Sequence, residues 1–152
     1  MAILKIVTGE KTPILHAKTK PVAKMTKDLV KLIHDMEETT KAAKGAGIAA
    51  PQVNRSERIC IALIQKKLTP LVNPEITWRS TEIETMEEGC LSLPDIWLQI
   101  TRPREIIVTF LSAAGRKREL KLSGFDARVV QHEVDHLEGK LILDYGSPQG
   151  SP

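Results

Sequence analysis

Two histidines four residues apart, His132 and His136, enclose Glu133 in the segment His132-Glu133-Val134-Asp135-His136, and this spacing constrains the fold more than any other feature. On an α-helix, residues i and i+4 share one face, so both imidazoles reach one divalent metal while the glutamate between them stays free for acid–base work. That pattern points to a hydrolase. Five residues alone also suit an ordinary polar helix, so the rest of the coordination sphere decides. A metalloprotease with a third histidine six residues past the second would carry it at position 142, which is Ile142 here. Glu138 and Asp144 are the acidic residues that follow. Glu138 comes two positions after His136 and points elsewhere, while Asp144 stands in the last few residues before the tail. The third ligand has to come from upstream, and Cys90, within Glu88-Gly89-Cys90-Leu91-Ser92, is the best thiolate available. A distant segment must therefore fold against the histidine-bearing helix. Three protein ligands with an open position make a catalytic coordination sphere rather than a structural one.

A chain of 152 residues is one domain by length, able to bury about two-thirds of its unfolded surface. Aromatic residues supply only 3% of it, so Ile, Leu, Val and Ala must build the core. The net charge of +3 is mild and the basic residues are spread along the chain, which gives no support to specific nucleic-acid binding. The start, Met1-Ala2-Ile3-Leu4-Lys5, lacks the charged and apolar regions of a signal peptide. No apolar run approaches the ~20 residues of a membrane span. The expectation is a protein of the cytoplasm, an organellar matrix or a phage-infected host cytoplasm, without membrane contact, in which Cys60 and Cys90 stay reduced.

Met25, Leu29, Leu32, Ile33 and Met36 recur at helical spacing behind Thr26, which predicts an amphipathic helix over 26–43 ended by Gly45. His34 lies off that stripe and reads, like His16, as a solvated surface residue. Ile59 to Ile64 is a buried strand in which Cys60 is a small core residue. Leu71-Val72-Asn73-Pro74 and Ile76 to Thr85 read as extended segments broken by proline. Glu105 to Leu111 and Lys117 to Leu122 flank Ala113-Ala114-Gly115-Arg116 as a hairpin. Ser123-Gly124-Phe125-Asp126 has the spacing of a capping box. It opens a helix with Phe125, Val129, His132 and His136 on one inward face, closed by Gly139. Leu141 to Leu143 reads as a last strand and 146–152 as a flexible tail. Gly45-Ala46-Gly47-Ile48-Ala49-Ala50-Pro51-Gln52 lacks a phosphate-loop pattern. Its small residues admit a second backbone, and Gln52 offers an amide donor, although on this segment alone an ordinary turn after a helix is the favoured reading.

Three segments together closely resemble the peptide deformylases: Gly45 to Gln52, Glu88 to Ser92 and Gln131 to Gly139, in the family's order and approximate spacing. Leu71 to Pro74 and Gly124 to Arg128 add to the likeness, which runs from about residue 3 to residue 145. The resemblance implies an α+β single domain over 1–145, with mixed or antiparallel short strands around a central metal-bearing helix and a second amphipathic helix near the N-terminus. It implies hydrolysis of the N-formyl group from the initiator methionine of nascent polypeptides, releasing formate. Cys90, His132 and His136 match the family's metal ligands. Ferrous iron is implied in the working enzyme, with zinc, nickel or cobalt as substitutes. Glu133 matches the general base, and Gln52 with the backbone N–H of Leu91 matches the oxyanion donors. Ala46, Gly47 and Gly89 fall where the family pairs the substrate backbone in strand fashion. Phe125, Val129 and Trp97 are the candidates for the methionine pocket; Trp97 reads equally as rim packing.

The likeness stops at the end of the chain. Many bacterial members continue into a C-terminal helix that helps them dock on the ribosome, whereas Asp144-Tyr145 here leads straight into the tail. Transient ribosome contact is thus left open, and a monomer is expected. A zinc peptidase and a non-catalytic metal-binding module are the other classes consistent with the three ligands. Ile142 argues against the first, and an uncommitted glutamate beside the ligands against the second.

Overall fold

The computed structural model describes residues 2–146. The expected tail therefore lies, from residue 147 onward, outside the described residues. In order, the chain forms α1 (Lys27–Ala42), β1 (Gly47–Ala49), β2 (Ile59–Ile64), β3 (Lys67–Arg79), β4 (Ile83–Cys90), β5 (Leu93–Pro103), β6 (Glu105–Leu111), β7 (Lys117–Ser123) and α2 (Gly124–Leu137). Strands β1-β2-β3-β6-β7 make an antiparallel five-stranded sheet, and β4 and β5 form a separate two-stranded ribbon.

The apolar run of β2 is continuous because both faces of the sheet are covered. Cys60, Ala62 and Ile64 face one side with Leu71, Ile106 and Val108, against Ala127, Val130, Val134 and Leu137 of α2. Ile59 and Ile61 face the other with Ile48 and Val72, against Leu29, Leu32, Ile33 and Met36 of α1. Each such aliphatic side chain contributes roughly 1.5–3 kcal/mol by leaving water. The ribbon packs separately, burying Leu93, Leu98 and Ile100 against Leu15, Leu141 and Ile142. The prolines of β3 are tolerated because its two halves pair on opposite sides: Lys67 to Val72 with β2, Val72 to Arg79 with β6. Pro74 stands in the register shift between Val72 and Glu75.

Thr26 caps α1 as expected, its hydroxyl accepting from the Leu29 N–H at 3.2 Å. The helix stops one residue earlier than glycine predicts. Lys44 takes the left-handed backbone (φ 55°), and the Gly45 N–H then reaches the Thr40 carbonyl at 3.0 Å, closing a Schellman turn. Ser123 makes no side-chain cap on α2, contrary to the capping-box spacing. Asp126 instead accepts from the Gln65 N–H at 3.1 Å. Leu141 to Leu143 is not a strand: Ile142–Tyr145 turns into a 3₁₀ helix, because Asp144 binds back to the Leu141 N–H at 3.0 Å. Ile76 to Thr85 divides between β3 and β4. Both cysteines are free, and His16 and His34 are exposed.

Gly139 ends α2 with φ 79°, and a Cβ there would lie 2.5 Å from the His16 carbonyl oxygen. Gly139→Ala therefore strains the backbone and displaces the Pro13–His16 turn that holds the end of the ligand helix. We expect a loss of about 1–3 kcal/mol in stability, measured by denaturant unfolding.

Candidate metal centre

His132 and His136 project from one side of α2 with ring centroids 5.0 Å apart. Cys90 arrives from the end of β4, where the ribbon breaks register. Gly89 pairs with Trp97 but Cys90 pairs with Leu93, so Pro94, Asp95 and Ile96 bulge out, with Asp95 at φ 67°. Such a bulge bends the ribbon and re-aims the side chain beside it. One donor atom from each of Cys90, His132 and His136 lies within 4.8 Å of the other two, and Cys90 Sγ is 3.4 Å from His136 Nε2. A thiolate with two imidazoles is a donor set for a divalent ion. The surroundings also favour positive charge there. Burial pushes the His132 ring down, but its hydrogen bonds to Cys90 and Glu88 outweigh that and raise it to about 10.

Glu88 orients His132. Its Oε1 lies 2.9 Å from His132 Nδ1, leaving Nε2 to face the cluster. The carboxylate is itself buried, with Arg102 Nε at 2.6 Å, Arg102 Nη2 at 3.0 Å and Arg128 Nη1 at 2.6 Å. Burial alone would raise the Glu88 carboxyl, yet His132 and Arg102 hold it well below the usual carboxylate range. Sequence reasoning missed Glu88, Arg102 and Arg128. A signal existed: Leu98, Ile100 and Arg102 share the buried face of β5, and a buried cation in an apolar alternation needs a carboxylate partner.

Glu133 points toward the opposite wall. It is 4% exposed, its Oε1 has no hydrogen-bond partner, and burial pushes its carboxyl up to about 7. Gly47 lies against it: a Cβ there would sit 2.7 Å from Glu133 Oε2 and 2.6 Å from the Ile61 carbonyl oxygen. The Ala49 N–H donates to Gln52 Oε1 at 2.9 Å, which fixes the amide so that Nε2 faces Ser92 Oγ at 3.1 Å and Cys90 Sγ at 3.7 Å. His136 is 1% exposed and its Nδ1 has no partner; burial holds the ring well below its ordinary value.

These groups open into a cleft of about 480 Å³ lined by Ala46, Gly47, Gln52, Gly89, Cys90, Leu91, Trp97, Phe125, Val129, His132 and Glu133. Every residue expected at the site, except the deeper His136, lines it. The pocket candidates divide. Val129 is 6% exposed and belongs to the wall, whereas Phe125 and Trp97 are half exposed at the rim. Trp97 lies flat over Gly89, where a Cβ would come 2.5 Å from the ring. Glu138 is exposed and pairs with Arg58 and, at 3.5 Å, with Lys18.

A three-donor cluster on an open cleft, with a buried uncommitted carboxylate between two of the donors, defines a metal-dependent hydrolase. The class narrows on comparison with known proteins. The chain belongs to the polypeptide deformylase family, whose model matches residues 3–151. A peptide deformylase of Rickettsia typhi is 44% identical, over 95% of this chain and 88% of that protein. The crystal structure of peptide deformylase from Thermotoga maritima superposes with a TM-score of 0.93 at 40% identity, covering 97% of this chain and all of that one. A probable peptide deformylase from Synechococcus phage S-SSM7 gives 0.88 at 41% identity, covering 93% and 99%. The activity is hydrolytic removal of the formyl group from nascent polypeptides, and it depends on a metal. No helix among the described residues is long and apolar enough to cross a membrane.

Glu88 is the carboxylate shared by two buried guanidinium groups, so Glu88→Gln leaves Arg128 with no carboxylate partner and Arg102 with Asp135 alone. We expect a destabilisation of about 3–5 kcal/mol by denaturant unfolding, beyond that of an exposed Glu119→Gln control.

Proposed function

We propose that Cys90, His132 and His136 hold the divalent ion and that Glu133 is the general acid–base group of formyl hydrolysis. The observation that carries this reading is Glu133 itself, buried between two ligands with a free oxygen and a carboxyl raised to about 7. A base poised near neutral pH transfers protons most effectively at that pH. When bound, the ion lowers the pKa of a water and polarises the formyl carbonyl. The remaining work belongs to side chains and backbone. Glu133 takes the proton of the attacking water and later delivers it to the leaving amine. Gln52 Nε2 and the Leu91 N–H donate to the oxygen that becomes negative as the carbonyl turns tetrahedral. Residues Ala46, Gly47 and Gly89 line the cleft from two strand edges, and their backbones pair an extended N-formyl-Met peptide between them. Val129 forms the apolar wall for the methionine side chain, with Phe125 and Trp97 closing its rim.

Ferrous iron is the ion inferred for the working enzyme on the strength of the family. Zinc, nickel and cobalt are substitutes, since one thiolate with two imidazoles suits all of them. Residues 1–145 constitute the catalytic unit on this reading. All the site residues come from one chain, so a monomer suffices for the activity, acting where nascent chains emerge in the cytoplasm or an organellar matrix. Any ribosome contact would be transient.

Glu133→Gln keeps size and polarity, so metal content in anaerobically purified protein should match the parent. Turnover of formyl-Met-Ala should fall about 10²–10⁴-fold. Parent turnover in this variant would refute the assignment, and metal analysis of the same samples identifies the ion. In a substrate series, formyl-Met peptides should exceed formyl-Ala and formyl-Asp peptides in kcat/KM by roughly 10–200-fold, the worth of burying an apolar side chain. Equal values across the series would reject the pocket.

A further inference from the structure

A polar chain leads from His132 to the molecular surface. Beyond Glu88, Arg102 commits Nε and Nη2 to that carboxylate and turns Nη1 to Asp135 Oδ2 at 2.8 Å. The same Oδ2 accepts from Tyr145 Oη at 2.6 Å, and the Arg102 guanidinium carbon lies 5.0 Å from the centre of the Tyr145 ring. Burial, reinforced by Asp135, pushes the Tyr145 phenol up to about 12, so the hydroxyl remains a donor.

Tyr145 is carried on an anchored element. Leu141 and Ile142, at its base, are 1% and 2% exposed within the ribbon core, and Asp144 closes the turn on the Leu141 N–H. Asp135 belongs to α2, one residue before His136. Tyr145 and Asp135 thus clamp the outer end of Arg102, and the inner end of Arg102 aims Glu88 at His132. Exposed hydrogen-bonded pairs are ordinarily weak. This one ends on an Asp135 side chain 20% exposed and an Arg102 side chain 4% exposed, where the charges are poorly screened.

We propose that Tyr145 is a positioning residue of the metal centre: through Asp135 and Arg102 it fixes Glu88 against His132 and slows the loss of the metal. This rests on the assignment of Cys90, His132 and His136 as ligands. A carboxylate fixed on the outer nitrogen of a ligand imidazole sets its orientation and basicity, and losing such a partner typically costs about 10–100-fold in metal affinity. Tyr145 stands further out, so its share is smaller.

The test uses the full chain loaded with zinc and challenged with excess EDTA, with zinc release followed well below the melting range. Tyr145→Phe removes one oxygen and keeps the ring over Arg102. Release should quicken about 3–10-fold, less than the ~10–100-fold of losing the carboxylate partner itself. Arg102→Lys, which retains the charge and drops the two-pronged contact, should release zinc at least as fast. Tyr145→Phe releasing zinc at the parent rate overturns the proposal, including when the variant melts earlier, since a purely structural role predicts that outcome. His132→Ala retaining a full equivalent of zinc would instead overturn the ligand assignment, which separates the two failures.

Discussion

The fold depends on one buried carboxylate. Glu88 sits where the β4–β5 ribbon meets α2, and it is the ribbon that supplies Cys90 while the helix supplies both histidines. The ribbon belongs to neither face of the main sheet and has its own small apolar cluster. Burying the carboxylate against Arg102, Arg128 and His132 gives this junction direction as well as attraction, because each contact has a fixed donor geometry that apolar packing lacks. An isolated carboxylate in that position would carry a large desolvation cost; three cationic or proton-donating partners offset it. The result is a triangle of donor atoms whose sides are set by two separately packed bodies.

Much of this was legible in the sequence. The i, i+4 histidines, the glutamate between them and the absence of a downstream ligand required a partner from far upstream, and Cys90 is where the chain provides it. The strands of the main sheet could be read because their patterns are strong: a continuous apolar run for β2, and a clean hairpin for β6 and β7. What escaped was chemistry that periodicity does not encode. The left-handed residue after α1 is Lys44 instead of glycine, and the turn is closed by the Gly45 N–H on the Thr40 carbonyl. Ser123 makes no side-chain cap, and Asp126, the other half of the expected box, accepts from another segment. The strand expected at Leu141 to Leu143 is a turn since a side chain, Asp144, competes for the backbone N–H. The supporting shell of Glu88, Arg102, Arg128 and Asp135 is spread over β4, β5 and α2, and only the folded chain reveals that these residues meet.

Glu133 and Glu88 show how one fold assigns opposite behaviour to the same side chain. Both are buried. Glu88 is surrounded by donors and held ionised; Glu133 has Gly47 close against it and one oxygen unsatisfied, and burial shifts it toward neutrality. The two environments are separated in space: the first carboxylate is held by donors at the junction of ribbon and helix, and the second keeps an unsatisfied oxygen beside Gly47.

The sheet ends differently on its two sides. β7, one edge, bears Lys117, Arg118 and Lys121, charges that discourage a neighbouring molecule from adding a strand. β1, the other edge, is three residues long, uncharged, and opens on the cleft through Gly47. A strand so short offers too few hydrogen bonds for stable pairing between whole proteins. The sheet thus guards against strand addition by shortness at one border and by charge at the other.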